Sequence, residues 1–298
     1  MVENSSTQQT VKSVSMQVFR AKAFTSSKQI EGKDILGNPA SVVFCNAHFP
    51  TAEEMRKIAI SEKSPMTAFL VQKANTSDFQ IQFFTPAGEQ FGLCGHATLV
   101  AAYYIYQLFG FEKTFFYKND ILIIESQKQN GGYKISLPAY SSETISFNQA
   151  TTYLNDLGID QQYFQAAYFC KQINDVILVL NKVDALRAAH PNFQMLKEHL
   201  AEKNVRGIFI TALSNLPNID YEVRIFAPHL GINEDISCGS ANCSILPLWA
   251  QLFTKKEDTE TYTILCPYNT ESNKFGGLEE GTYLHEKDTI LIGGRISD

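Results

Sequence analysis

Apolar residues are arranged in two kinds of run along this 298-residue chain. Short runs rich in Val, Ile, Phe and Tyr, many alternating with polar residues, predict strands. In the first half these are MQVFRAKAFT (16–25), SVVFCN (41–46), TAFLVQK (67–73), FQIQFFTP (79–86), ILIIESQ (121–127) and YKISLPAY (133–140), the last two turning at Asn130-Gly131-Gly132. The second half has YFCKQINDVILVLN (168–181), GIFITAL (207–213), YEVRIFAP (221–228) and a closing pair, YTILCPY (262–268) and DTILIGG (288–294). Two other runs are long, apolar and uncharged: Ala97 to Phe109, and Ala241 to Phe253. A helix apolar all round is buried on all sides, so each half reads as strands wrapped round one central helix, with Pro247 kinking or ending the first segment of the second helix. Amphipathic spacing predicts two further helices, TAEEMRKIAIS (51–61), with a Thr start and early acids, and PNFQMLKEHLAEKN (191–204).

Both long apolar runs follow the same kind of turn. GLCGHAT (92–98) and ISCGSAN (236–242) each put Cys-Gly directly before the helix, and each comes shortly after an aromatic strand ending in Pro (FFTP, IFAP). Cys94 and Cys238 are 238 − 94 = 144 residues apart, so each half carries one copy. The pattern predicts an α+β chain of two pseudo-symmetric domains, each a mixed sheet or barrel round its apolar helix. The expected divisions are a loose tail over 1–14, a domain over 15–140 and a domain over 141–298, the apolar pattern lapsing near 138–150. Gly95 and Gly239 allow close backbone approach, and free N–H groups at a helix start favour an anion. Two such starts facing each other would grip a carboxylate, with no metal or organic cofactor.

Composition narrows the classes. Lys+Arg 25 against Asp+Glu 31, a net charge of −6, leaves no basic footprint for nucleic acid. No run reaches membrane-spanning length, and the polar start MVENSSTQQTVKSVSMQ lacks a signal-peptide core, which predicts a cytoplasmic protein. Six cysteines (45, 94, 170, 238, 243, 266) then read as thiols. They form no CxxC pair, and the histidines form no HxH or HExxH pair, which argues against zinc. Cys45, Cys170, Cys243 and Cys266 read as small buried residues. Cys94 and Cys238, at helix starts, sit where a thiol pKa is expected to fall. The charged run 255–260 reads as a solvated loop.

GNPASVVF (37–44), FFTPAGEQFGLCGHATLVAA (83–102), the R-x-F-x-P run at 224–228 and EDISCGSA (234–241) resemble the PhzF family of phenazine-biosynthesis-like isomerases, and more distantly diaminopimelate epimerase and proline racemase. The likeness covers nearly the whole chain in order. It implies a two-domain epimerase-like fold and cofactor-independent isomerisation of a small carboxylated substrate between the domains, in a homodimer. It also implies that His96 and Asp235 position or protonate substrate, that Gly95, Gly239 and Ser240 form the backbone grip, and that Asn38 and Met66 line the substrate. Two departures matter. The family's proton-shuttling Glu, before a Thr-x-Phe run, is Met66 here, and Glu62 lies four positions earlier. Cys238 stands where the family usually has Thr, which with Cys94 restores the paired thiols of the racemase relatives. Three readings stay open: a PhzF-like isomerase using His96 and Asp235, a two-thiol epimerase or racemase using Cys94 and Cys238, and a non-catalytic small-acid binder.

Overall fold

The computed structural model describes residues 16–74, 76–129, 131–253, 260–268 and 274–298. The expected tail over 1–14 and all but Glu260 of the charged run at 255–260 lie outside them. The first half runs β1 (Gln17–Thr25), β2 (Asp34–Ile35), β3 (Asn38–Phe44), α1 (Ala52–Glu62), β4 (Thr67–Gln72), β5 (Asp78–Phe84), β6 (Gln90–Phe91), α2 (Gly95–Phe109), β7 (Lys113–Lys118), β8 (Ile121–Gln129) and β9 (Gly132–Pro138). The second half starts with β10 (Glu143–Thr144), α3 (Phe147–Asp156), β11 (Phe164–Cys170), β12 (Asp175–Leu180), α4 (Val183–Ala188), α5 (Phe193–Glu202) and β13 (Gly207–Leu213). It ends with β14 (Tyr221–Ala227), β15 (Ile232–Asp235), α6 (Asn242–Leu252), β16 (Thr261–Cys266), β17 (Lys274–Phe275), β18 (Gly277–Leu284) and β19 (Thr289–Ser297).

The duplication read from the two Cys-Gly turns extends to the sheet. In the first half β1–β3 is antiparallel, β3–β4 parallel, β4–β5 and β5–β6 antiparallel, β5–β7 parallel, and β7–β8 and β8–β9 antiparallel. The second half repeats that order of signs through β11–β12, β12–β13, β13–β14, β14–β15, β14–β16, β16–β18 and β18–β19. The chain is therefore α+β with two pseudo-symmetric halves. β19 binds them: Thr289–Gly294 pairs with β9, while Arg295, Ile296 and Ser297 pair with β1. Those pairings close β1, β3, β4, β5, β7, β8, β9 and β19 into a ring round α2, so the first barrel is completed by the end of the chain. The expected closing pair is interrupted, because β18 lies between β16 and β19. Its sequence, GLEEGTYL, is too rich in Gly and Glu to read as a strand.

The central helices follow their sequence. α2 is buried from Gly95 to Ala102, but its last turn surfaces at Leu108 and Phe109, where it ends on Gly110 in the left-handed region. α6 is entered through a 3₁₀ turn, Gly239–Ala241, and continues past Pro247 rather than stopping there. Proline leaves the Cys243 carbonyl without its helical N–H partner. Tyr140 N–H, from the connection after β9, takes that carbonyl at 2.7 Å. The helix beginning at Ala52 has the capping box its sequence announces, Thr51 with Glu54, and the expected 191–204 helix is α5, capped by Asn192.

Candidate active site

The two helix starts meet. A Cβ built on Gly95 would lie 3.8 Å from Gly239 Cα and 3.8 Å from Ser240 N. Neither Cys94 nor Cys238, the residues before the helices, caps its helix with a side-chain hydrogen bond. The first free N–H groups of both helices therefore share one small volume.

Asn38 ties the halves together at that point. It follows Gly37, which has φ 70° and would bring a Cβ to 3.0 Å from the Ala23 carbonyl, so the turn requires glycine. Gly37 N–H donates to the Gly276 carbonyl and Leu36 N–H to the Phe275 carbonyl, pinning this loop to the second half. Asn38, 1% exposed, then aims Nδ2 at Asp235 Oδ1 (2.9 Å), the Ser237 carbonyl (2.8 Å) and His96 Nδ1 (3.3 Å). An amide nitrogen carries two hydrogens, and the two shorter contacts take them. Asn38 Oδ1 is buried without a partner among the described residues.

His96 is buried, and burial lowers its pKa to about 4 against a raising hydrogen bond to the Pro39 backbone. The ring is neutral, and since proline has no N–H, the ring donates to the Pro39 carbonyl. Cys94 Sγ lies 3.4 Å from Nδ1, so the thiol is the donor left for that nitrogen. The expectation of acidified thiols is overturned. Burial pushes Cys94 up to about 12 despite the nearby amides of Ala97 and His96, and burial with the Asp235 charge pushes Cys238 up as well. Desolvation of a thiolate outweighs the attraction of a helix start.

The neighbouring acids Glu234 and Asp235 have opposite surroundings. Arg224, 3% exposed and bonded to the Ala189 carbonyl at 2.7 Å, grips both oxygens of Glu234 at 2.7 and 3.0 Å. That is the work of the arginine in the R-x-F-x-P run. Asp235 instead accepts from Asn38 and from Ser237 N–H (3.2 Å), and burial raises its pKa to about 6, with Arg206 drawing it down only from a distance.

Met66 is 4% exposed in the core of the first barrel, and its carbonyl accepts from Ser41 N–H at 3.0 Å. Glu62 does not replace the family carboxylate: Arg20 holds it with two bonds of 2.8 Å, and Ser41 Oγ donates to it at 2.9 Å. The structure thus gathers Asn38, Cys94, Gly95, His96, Asp235, Cys238, Gly239 and Ser240, while Met66 contributes only apolar surface. Cys238 faces Ser240, its Sγ 3.3 Å from Oγ. The surface cavity of about 260 Å³ bounded by Lys22, Lys28 and Asp34 involves none of these residues. Among the described residues no group of three or more His, Cys, Asp or Glu could hold a metal ion, and no helix is long and apolar enough to cross a membrane.

Sequence reasoning missed Ser237 and Glu279. Ser237 Oγ donates to Glu279 Oε1, and Asn242 Nδ2 donates to Glu279 Oε2. Ser237 lies inside the EDISCGSA motif and was available to inspection; Glu279 lies in the unrecognised β18 and carried no signal.

Comparison with known proteins identifies the family and the fold. The family of phenazine biosynthesis-like proteins, PhzC-PhzF, matches residues 22–295. An uncharacterized isomerase of Halalkalibacterium halodurans is 30% identical over 268 residues, 88% of this chain and 90% of that protein. A PhzF-family crystal structure from Enterococcus faecalis superposes with a TM-score of 0.78 at 25% identity, covering 95% of this chain and 96% of that one. A hydroxyproline epimerase from Agrobacterium vitis, solved with trans-4-hydroxy-L-proline, shares the fold at TM-score 0.54 and 10% identity, over 95% of this chain and 90% of that one.

Proposed function

Because the chain belongs to the PhzC-PhzF family of phenazine biosynthesis-like proteins, we propose that it is a cofactor-independent isomerase moving a proton on a small carboxylated metabolite held between its halves. The observation that carries this reading is the meeting of two uncapped helix starts beside Asp235, a half-buried carboxyl whose pKa desolvation raises to about 6. The N–H groups at Gly95, His96, Gly239 and Ser240 hold the substrate carboxylate. Asp235 takes and returns the proton, and a pKa near working pH suits a group that must do both. Asn38 orients Asp235 through Nδ2, and its unpartnered Oδ1 accepts an N–H or O–H of the substrate. His96 holds Cys94 and the Pro39 loop in place.

A proton shifted along one face needs a single acid/base group, whereas inversion at carbon needs two on opposite faces. With Met66 in place of a carboxyl and both thiols pushed up by burial, this site favours the one-face shift over racemisation. Proton NMR in heavy water, over a panel of unsaturated, amino and hydroxy acids, tests it. The wild type is expected to introduce deuterium at one substrate carbon, and Asp235→Asn to lose about 10²–10⁴ of that rate. Loss in Cys94→Ala and Cys238→Ala with activity kept in Asp235→Asn would establish the two-thiol reading. Silence across the panel with measurable binding would establish a binding protein.

A further inference from the structure

Glu279 is fully buried on β18, and among the described residues no cation is bonded to it. Its oxygens accept from Ser237 Oγ, from Asn242 Nδ2 at 2.5 Å and from Cys266 Sγ at 3.7 Å, and Tyr221 OH fixes the Asn242 amide by donating to its Oδ1 at 2.9 Å. Ser237 is also bonded to Asp235, through its backbone N–H, and its carbonyl is held by Asn38. One residue therefore stands between a fully buried carboxyl and a half-buried one. Gly277 makes room for it: a Cβ there would collide with the Ser237 side chain.

We propose that Glu279 is a positioning residue coupled to Asp235 across Ser237, so that the two carboxyls titrate as one pair that keeps one proton and one negative charge at neutral pH. Two carboxylates joined through one serine in a low-dielectric interior repel, and the second proton is held to higher pH than either group alone would hold it. Burial raises both groups, Glu279 to about 7 with the Asp235 charge contributing. Among the described residues, the groups facing the pair do not supply that cation. Cys94, Cys238 and Cys266 are thiols raised by burial, His96 is neutral, Tyr221 and Tyr268 are raised phenols, and Arg206 is committed to Asp175 by two bonds. The functional meaning rests on the proposed role of Asp235: the pair stores inside the site a proton that Met66 cannot carry. The coupling itself does not depend on turnover.

Infrared titration of the carboxyl stretch, supported by ¹³C NMR with labelled Asp and Glu carboxyls, tests the pair in the whole protein. The wild type is expected to show two separated steps. Glu279→Gln and Asp235→Asn should each leave a single step, with proton affinity at least about tenfold below that of the upper wild-type step. A wild-type curve equal to the sum of the two single-variant curves overturns the proposal, whatever the enzyme does. Should Glu279→Gln fail to fold, the Glu279 step in Asp235→Asn decides alone, because coupling is reciprocal: an unmoved Glu279 overturns the pair. Coupled titration with no proton exchange on any substrate would sustain the pair and remove the isomerase.

Discussion

Met66 ends the loop before β4 with its side chain 4% exposed, and a thioether there neither takes nor gives a proton. Met66→Glu should place a carboxyl in that desolvated position, where burial raises its pKa. If the first barrel keeps its geometry, the variant should raise deuterium exchange into substrate at least about tenfold, the lower part of what a positioned base supplies. It should also cost stability, about 1–3 kcal/mol. The sign of its pH dependence follows from linkage: a carboxyl raised above its unfolded value is bound more tightly to its proton in the fold, so stability is greatest at low pH and falls as pH rises past the unfolded pKa. Thermal melts at pH 5 and pH 8 check this, and a variant equally stable at both would place the residue in solvent.

At the scale of elements, the paired helix starts are where the proposed substrate carboxylate would be held. Gly95→Ala would bring a methyl to 3.3 Å from Ile135 Cδ1, the far end of a flexible side chain, and to 3.8 Å from Ser240 N, so the fold should survive while the space between the starts narrows. Each helix start contributes about 0.3–1 kcal/mol to an anion in exposed settings and up to about 2 when partly buried. Affinity for small carboxylates should accordingly fall severalfold, read by calorimetry, with the melting temperature little changed. Unchanged affinity would move the ligand elsewhere. The second start depends on α6 continuing through Pro247, which it does because Tyr140 N–H satisfies the freed Cys243 carbonyl.

For the whole molecule, β19 is the tie. Its first six residues pair with β9 and its last three with β1, while β18 flanks it from the second half. A chain ending at residue 140 lacks the strand that closes the first barrel, exposing the edges of β1 and β9. Expressed alone, that fragment should aggregate or remain unfolded, and co-expression with residues 141–298 should recover soluble protein with a cooperative melt. A fragment that folds by itself, seen by dispersed amide NMR signals, would make β19 dispensable.

The sequence by itself determined the repeat, the two apolar helices, the glycines at their starts and most strands, since each rests on local periodicity or on a turn only certain residues permit. It also marked Asn38, His96, Asp235, Gly95, Gly239 and Ser240 as candidates, which the fold draws together. Only the tertiary structure decided their electrostatics. Cys94 at a helix start reads as an acidified thiol, yet burial wins and pushes it up to about 12. Glu234 and Asp235 are indistinguishable acids in sequence, and it is Arg224, ten residues before Glu234 and reaching it across a strand pair, that neutralises one and leaves the other to burial. Glu279 shows the same limit most sharply: a glutamate in a Gly- and Glu-rich segment signals solvent, and its burial follows from β18 being enclosed between β16 and β19, long-range pairings that no local pattern encodes.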